Sequence, residues 1–260
     1  MSKKKSAAEP VEYIDSQAFD VAKEKIIGKI HNDKGIGTLS EKTLHAVLKM
    51  YYEPDEDNHE VAIDGYFADI YNEHGIIEIQ TRQLNKLRDK LSVFLNEYQV
   101  RVVYPMPYEK YLSWIEPETG DITSRRKSPK RCSVYDAMFE LYKIKAFLKN
   151  QNLKVTLLLI DMEEYKLLNG WSYDKKRGST RYDRVPVGIR RIVKFDRIED
   201  YMQLVPADLK EDFTVKDFAM AAGVSVEASR YTLNILNYLE IVKRTGRVKN
   251  GYVYNVTEEF

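Results

Sequence analysis

Between residues 41 and 104 the spacing of apolar side chains switches from helical to alternating and back, and that order leaves few folds open. Leu44, Val47, Leu48 and Tyr51 recur at helical intervals, with Ser40 as a candidate N-cap and Pro54 just past the end, which predicts a helix over 41–52. The acidic stretch Glu53-Pro54-Asp55-Glu56-Asp57 leads into two expected strands, 60–71 and 76–81. Leu84, Leu87, Leu91, Phe94 and Leu95 share one face of an expected helix over 83–98. The β-branched run Val100-Arg101-Val102-Val103-Tyr104 then predicts a short strand stopped by Pro105. The order is helix, strand, strand, helix, strand, and the fold class it predicts is α/β.

The hairpin inside this unit carries the candidate chemistry. A four-residue connection, Asn72-Glu73-His74-Gly75, would pair Tyr71 with Ile76, Ile70 with Ile77 and Asp69 with Glu78, with Phe67 facing Gln80. Alternation then puts Ala68, Ile70, Ile77 and Ile79 on one face and Asp69, Glu78 and Gln80 on the other, non-core face. Directly opposed side chains have Cβ atoms about 5 Å apart, so two carboxylates there repel each other. A hard divalent cation would turn that repulsion into a binding site. The bland alternative is a surface hairpin with two solvated carboxylates.

In these motifs the chain resembles the restriction-endonuclease-like, or PD-(D/E)XK, nucleases, over a stretch running from about residue 36 to about residue 104. Ala68-Asp69 stands where that family has its first motif, Glu78-Ile79-Gln80 where it has its acidic-x-Lys triplet, and Glu41 where its Holliday-junction-resolvase-like branch has a helical glutamate. The resemblance implies a core of helix, three-stranded meander, helix and strand. It implies Mg²⁺ or Mn²⁺ held by Glu41, Asp69 and Glu78, and hydrolysis of DNA phosphodiesters. The family's lysine is Gln80 here, which can hold a water but brings no charge. Lys86 is the candidate substitute, with Arg82, Arg88 and Lys90 competing. The RecB-like Gln-x-x-x-Tyr signature is absent, since Gln83 is followed by Leu87.

Pro206 marks an expected boundary before a separate C-terminal unit, 207–260. Helical patterns over 214–222 and 226–239 flank Gly223-Val224-Ser225, with Thr214 and Ser225 as candidate caps. Two short strands, 241–244 and 252–256, follow. This order resembles a winged helix-turn-helix, whose recognition helix would start at Glu227, Ser229 and Arg230 and whose wing would carry Lys243, Arg244, Arg247 and Lys249. The alternative use of such a unit is protein docking or dimerisation.

Other signals are weaker. Arg125, Arg126, Lys127, Lys130 and Arg131 make a dense basic loop after an expected hairpin at 114–126, and Lys175, Lys176, Arg177, Arg181 and Arg184 make a second. Both suit phosphate contacts, and both also suit plain solvation. Between them lie an expected helix at 134–148 and a buried strand at 155–160. Asp161 and Glu163 after that strand are expected to cap a following helix, and serve as a fallback site.

Bulk properties exclude more than they assign. Forty-one basic against forty acidic side chains give a net charge of +1, so only local patches can support nucleic-acid binding. The four histidines lack zinc-finger or HExxH spacing, and Cys132 is alone, which excludes an intrachain disulfide and suits the cytoplasm. No apolar run is long enough to span a membrane. Residues 1–15 are expected to be a disordered basic tail, and 16–206 a nuclease-like α/β domain with an extension. The expected function is a Mg²⁺-dependent endonuclease acting on DNA, with a homodimer kept open. The competing reading is a non-catalytic DNA-binding protein on a degenerate nuclease scaffold.

Overall fold

The computed structural model describes residues 14–32, 43–171, 177–249 and 251–257. The chain is a mixed α/β fold built on one seven-stranded sheet, with a three-stranded sheet at its C-terminal end. In chain order it runs α1 (Ser16–Asn32), α2 (Thr43–Tyr52), β1 (His59–Ile63), β2 (Tyr66–Asn72), β3 (Gly75–Ile79), a 3₁₀ turn (Leu84–Leu87) leading into α3 (Arg88–Phe94), and β4 (Val100–Ile115). It continues with β5 (Arg126–Lys127), α4 (Met138–Leu141) flanked by 3₁₀ turns, β6 (Leu153–Trp171) and β7 (Arg177–Phe195). The C-terminal unit comprises β8 (Phe213–Thr214), α5 (Val215–Ala222), α6 (Val226–Tyr238), β9 (Val242–Val248) and β10 (Gly251–Val256).

The large sheet has the order β1-β2-β3-β4-β6-β7, with β5 paired to β4. β1, β2 and β3 form an antiparallel meander, β3 runs parallel to β4, β4 parallel to β6, and β7 returns antiparallel along β6. The single strand expected over 60–71 is therefore two. Asp64 and Gly65 both take positive φ, +48° and +83°, in a two-residue turn that pairs Ile63 with Tyr66. That is the mirror-image geometry that an Asp-Gly pair favours.

The strand expected to stop at Pro105 runs on to Ile115. β3 ends at Ile79, opposite Val103, so from Pro105 onward β4 has lost its β3 neighbour and keeps β6. A proline is tolerated where no ladder bond is asked of its nitrogen. The 155–160 strand likewise extends to Trp171, and the stretch read as a basic loop is from Arg177 onward the start of β7. The helix expected over 134–148 is a run of 3₁₀ and α turns, kinked at Ile144.

Both faces of the sheet are covered. Phe19 of α1 and Leu44, Val47 and Leu48 of α2 pack with Ile70, Ile79, Val103, Leu158 and Ile160. On the other side Leu84, Leu87, Leu91 and Phe94 pack with Ala68, Ile76, Val102 and Leu157. This second core does not stop at Pro206, for Met138, Leu141 and Ile144 share it with Phe213, Phe218, Leu233 and Leu236. The tilted Phe139–Tyr231 pair at 4.7 Å and the Lys145–Asn234 hydrogen bond at 2.8 Å tie α4 and its flanking turn to α6.

Candidate functional site

β2 and β3 bring Asp69 and Glu78 together at a gap in the sheet. Gly75 sets the turn, since at φ +105° its missing Cβ would stand 2.4 Å from the Gln99 carbonyl oxygen. From it the ladder holds Asn72↔Gly75, Tyr71↔Ile76 and Ile70↔Ile77, and goes no further. The β1/β2 ladder passes from His59↔Ile70 to Val61↔Ala68 without a pair at Asp69. A carboxylate takes over there. The Ile79 N–H donates to Asp69 Oδ2 at 2.7 Å.

The alternation of β2 slips by one at this point. Tyr66 and Ala68 pack on the α3 side, whereas Ile70 packs on the α2 side. The expectation that Ala68 shares a face with Ile70, Ile77 and Ile79 is corrected accordingly. So is the notion of a solvated non-core face, because Glu78 is only 2% exposed. Asp69 meets α2, where His45 Nε2 lies 3.1 Å from Oδ2. Glu78 meets α3, where Lys90 Nζ donates to both carboxylate oxygens at 3.0 Å and to the Phe67 carbonyl at 2.6 Å.

This environment splits the two acids. Burial first, then the charge of Asp69, pushes the Glu78 carboxyl up to about 7 against the pull of Lys90. Burial works on Asp69 in the same sense, but His45, the Ile79 N–H and Lys90 outweigh it and hold the group below the usual carboxylate range. Two neighbouring carboxyls with separated protonation are a recurrent mark of functional sites, although ion-pair networks produce it too.

The remaining expected site residues are distributed as follows. Gln80 extends the sheet through its N–H to the Val103 carbonyl, and its side-chain amide donates to the Arg82 carbonyl at 2.6 Å, away from the carboxylates. Lys86 is exposed in the 3₁₀ turn, and it is Lys90, one helical turn on, that reaches Glu78. Arg88 is held by the Lys143 carbonyl at 2.6 Å. Glu41 lies outside the described residues. Lys90 was among the sequence candidates for the missing motif lysine, behind Lys86, whereas His45 was legible only as a polar residue adjoining the apolar stripe of Leu44.

Asp69 and Glu78 offer hard oxygen donors of the kind Mg²⁺ prefers. Among the described residues, no group of three His, Cys, Asp or Glu is arranged to hold a metal ion.

Of the expected phosphate contacts, Arg126, Lys127, Lys130 and Arg131 are exposed around β5 and after it. Lys127 and Arg131 both bind Glu109. Arg181 sits beside Glu164 at 3.4 Å, Arg177 is described through its backbone, and Lys176 lies outside the described residues. In the C-terminal unit Thr214 and Ser225 cap α5 and α6, and Gly223 takes the left-handed turn between them. Arg230 and Lys249 are exposed, and Arg247 binds the Tyr252 hydroxyl at 2.6 Å. Ser229 is corrected as a base contact. It is fully buried and its hydroxyl donates to the Ser225 carbonyl, leaving no surface for a partner. Asp161 and Glu163 cap no helix, for they lie within β6; Asp161 accepts the Glu109 N–H at 3.0 Å and Glu163 the Tyr165 hydroxyl at 2.9 Å.

Fold and site together define a mixed α/β protein with a buried glutamate and a half-buried aspartate at a break in its sheet, countered by a lysine and a histidine from opposite layers. A family described as "Domain of unknown function (DUF8091)" matches residues 42–196, and the chain belongs to that family. It is also 30% identical over 208 residues to an "Uncharacterized protein" of Treponema pallidum (strain Nichols), covering 77% of this chain and 79% of that protein. No solved structure matches. No helix among the described residues is long and apolar enough to cross a membrane.

Proposed function

We propose that this protein is a Mg²⁺-dependent (or Mn²⁺-dependent) DNA phosphodiesterase with a restriction-endonuclease-like core and a C-terminal winged helix. The observation that carries this reading is the adjacency of Asp69 and Glu78 at the break between β2 and β3, with His45 of α2 on Asp69 and Lys90 of α3 on Glu78. The split of the 60–71 segment supports it, since helix, three-strand meander, helix and strand is the core order of that superfamily. Lys90 brings from α3 the positive charge that Gln80 lacks just past the end of β3.

Asp69 and Glu78 fit a divalent cation chemically, because the charge of Asp69 raises the cost of ionising Glu78 and a cation would relieve it. Two carboxylates completed by waters and substrate phosphate oxygens are an ordinary Mg²⁺ shell. Bound there, the ion would lower the pKa of a water and offset charge developing on the phosphate. The chain's own groups have defined parts. His45 and the Ile79 N–H fix Asp69, and Lys90 can turn from Glu78 toward a phosphate oxygen as negative charge builds.

The competing reading is a DNA-binding protein without catalysis. It is favoured by the burial of Glu78, both of whose oxygens are already taken by Lys90, and by the turned-away amide of Gln80. Incubation with supercoiled and branched DNA, with and without Mg²⁺ or Mn²⁺, separates the two. Metal-dependent cleavage lost in Asp69→Asn supports the enzyme. Metal-independent binding without cleavage supports the binding protein.

A further inference from the structure

A second charged centre lies across β4, β6 and β7, apart from the carboxylate pair. Glu164 of β6 is 3% exposed at its side chain and is surrounded by Lys110 at 3.4 Å, Lys166 at 3.9 Å, Arg181 at 3.4 Å and Arg184 at 2.9 Å. The sheet register puts them together, because Glu164 pairs with both Leu112 of β4 and Arg184 of β7, and Lys166 pairs with Arg181.

One carboxylate cannot balance four cations. A single bidentate arginine would satisfy a buried glutamate, as many structural ion pairs do. Here three positive charges are left over among partly buried groups, where repulsion is less screened than at an open surface. The strain is visible in the groups themselves. Burial, Arg184 and Lys166 hold the Lys110 ammonium below its usual range, and Arg181 is lowered by burial and by Arg184, with Arg82 adding to it.

We propose that Lys110, Lys166, Arg181 and Arg184 form a binding site for a backbone phosphate of a nucleic acid, with Glu164 holding the four cations in place. Arginine forks match two phosphate oxygens at once, and lysine adds charge without a fixed direction. A repeating polyanion also suits the neighbourhood, since β4 carries the same positive character onward through its pairing with Arg126 and Lys127 of β5. An acidic protein segment is the other polyanion such a field would attract. The inference rests on the nucleic-acid part of the proposed function and is independent of cleavage.

The test is fluorescence anisotropy of a labelled duplex oligonucleotide with the full chain in EDTA, where cleavage cannot contribute. Arg181→Ala and Lys166→Ala should each weaken binding about tenfold and reduce the slope of log affinity against log salt by about one. Arg126→Ala, outside the Glu164 cluster, should cost less than either. Lys166, the most weakly paired of the four, provides the variant least prone to unfold. Unchanged affinity and salt slope in folded Lys166→Ala would overturn the site. Displacement of the duplex by poly-glutamate as readily as by unlabelled duplex would overturn its assignment to nucleic acid. Binding that depends on these residues, in a protein that cleaves nothing with Mg²⁺, would sink the enzymatic reading and leave this one standing.

Discussion

Lys90 Nζ lies 3.0 Å from each carboxylate oxygen of Glu78, yet the carboxyl stays close to neutral pH in its titration. An ion pair of that geometry ordinarily favours the charged acid. Here the loss of water around Glu78 and the charge of Asp69 win over Lys90.

A stability prediction follows from the sign of that shift. Glu78 has a folded pKa above its unfolded value, so its unfolded form ionises first as pH rises from about 4.5 to about 7. The native state loses stability across that window, and the full loss is present above it. Glu78→Gln, which cannot ionise, should be more stable than wild type at pH 8, by an amount on the order of 2 kcal/mol. At pH 4 the two should be nearly equal. Urea unfolding at both pH values checks this, and a variant less stable at pH 8 contradicts it.

Lys90→Met removes the cation that competes for Glu78. Ionising Glu78 then becomes harder still, but a divalent ion no longer has to displace an ammonium. Mn²⁺ affinity at pH 8 should rise or hold, while cleavage should fall by about a hundredfold if Lys90 offsets charge on the reacting phosphate. Parallel loss of both would reduce Lys90 to a structural role.

Cleavage itself should increase with pH between 6 and 8. Metal binding requires the ionised carboxylate, so protons compete with the ion until Glu78 titrates near 7. A profile flat across that range in single-turnover assays would remove Glu78 from the metal shell.

Gly75→Ala should unfold the hairpin that positions the pair. Its added Cβ would meet the Gln99 carbonyl oxygen at 2.4 Å, and φ +105° is strained for any side chain. A cost of about 2–4 kcal/mol is expected from a clash and a forced backbone together. Thermal unfolding measures it, and a shift below 1 °C would show that the loop yields freely.

The hairpin around the two carboxylates was legible in the sequence because register is a counting problem once the turn is known. The expected direct Asp69–Glu78 pair on one face is corrected, since the ladder ends at Ile70↔Ile77 and the two side chains meet opposite layers. Tyr71↔Ile76 and Ile70↔Ile77 follow from placing the turn at 72–75. The slip at Asp69 was not legible, since it depends on side chains replacing backbone bonds across a gap. The turn at Asp64-Gly65 carried a local signal, and reading it would have given the third strand of the meander. The full lengths of β4 and β7 were hidden by prolines, which tolerate strand positions according to neighbours that only the fold supplies. The cluster around Glu164 was hidden for the same reason. Lys110, Glu164 and Arg184 are far apart in sequence and meet only through sheet register.

The central claim is that Asp69 and Glu78 together hold a divalent cation. Calorimetric titration of the intact protein with Mn²⁺ at pH 8 tests it most directly. One site per chain is predicted, weakened at least tenfold by Asp69→Asn and by Glu78→Gln, with both variants folded. No binding to the wild type, or binding indifferent to both substitutions, would contradict it.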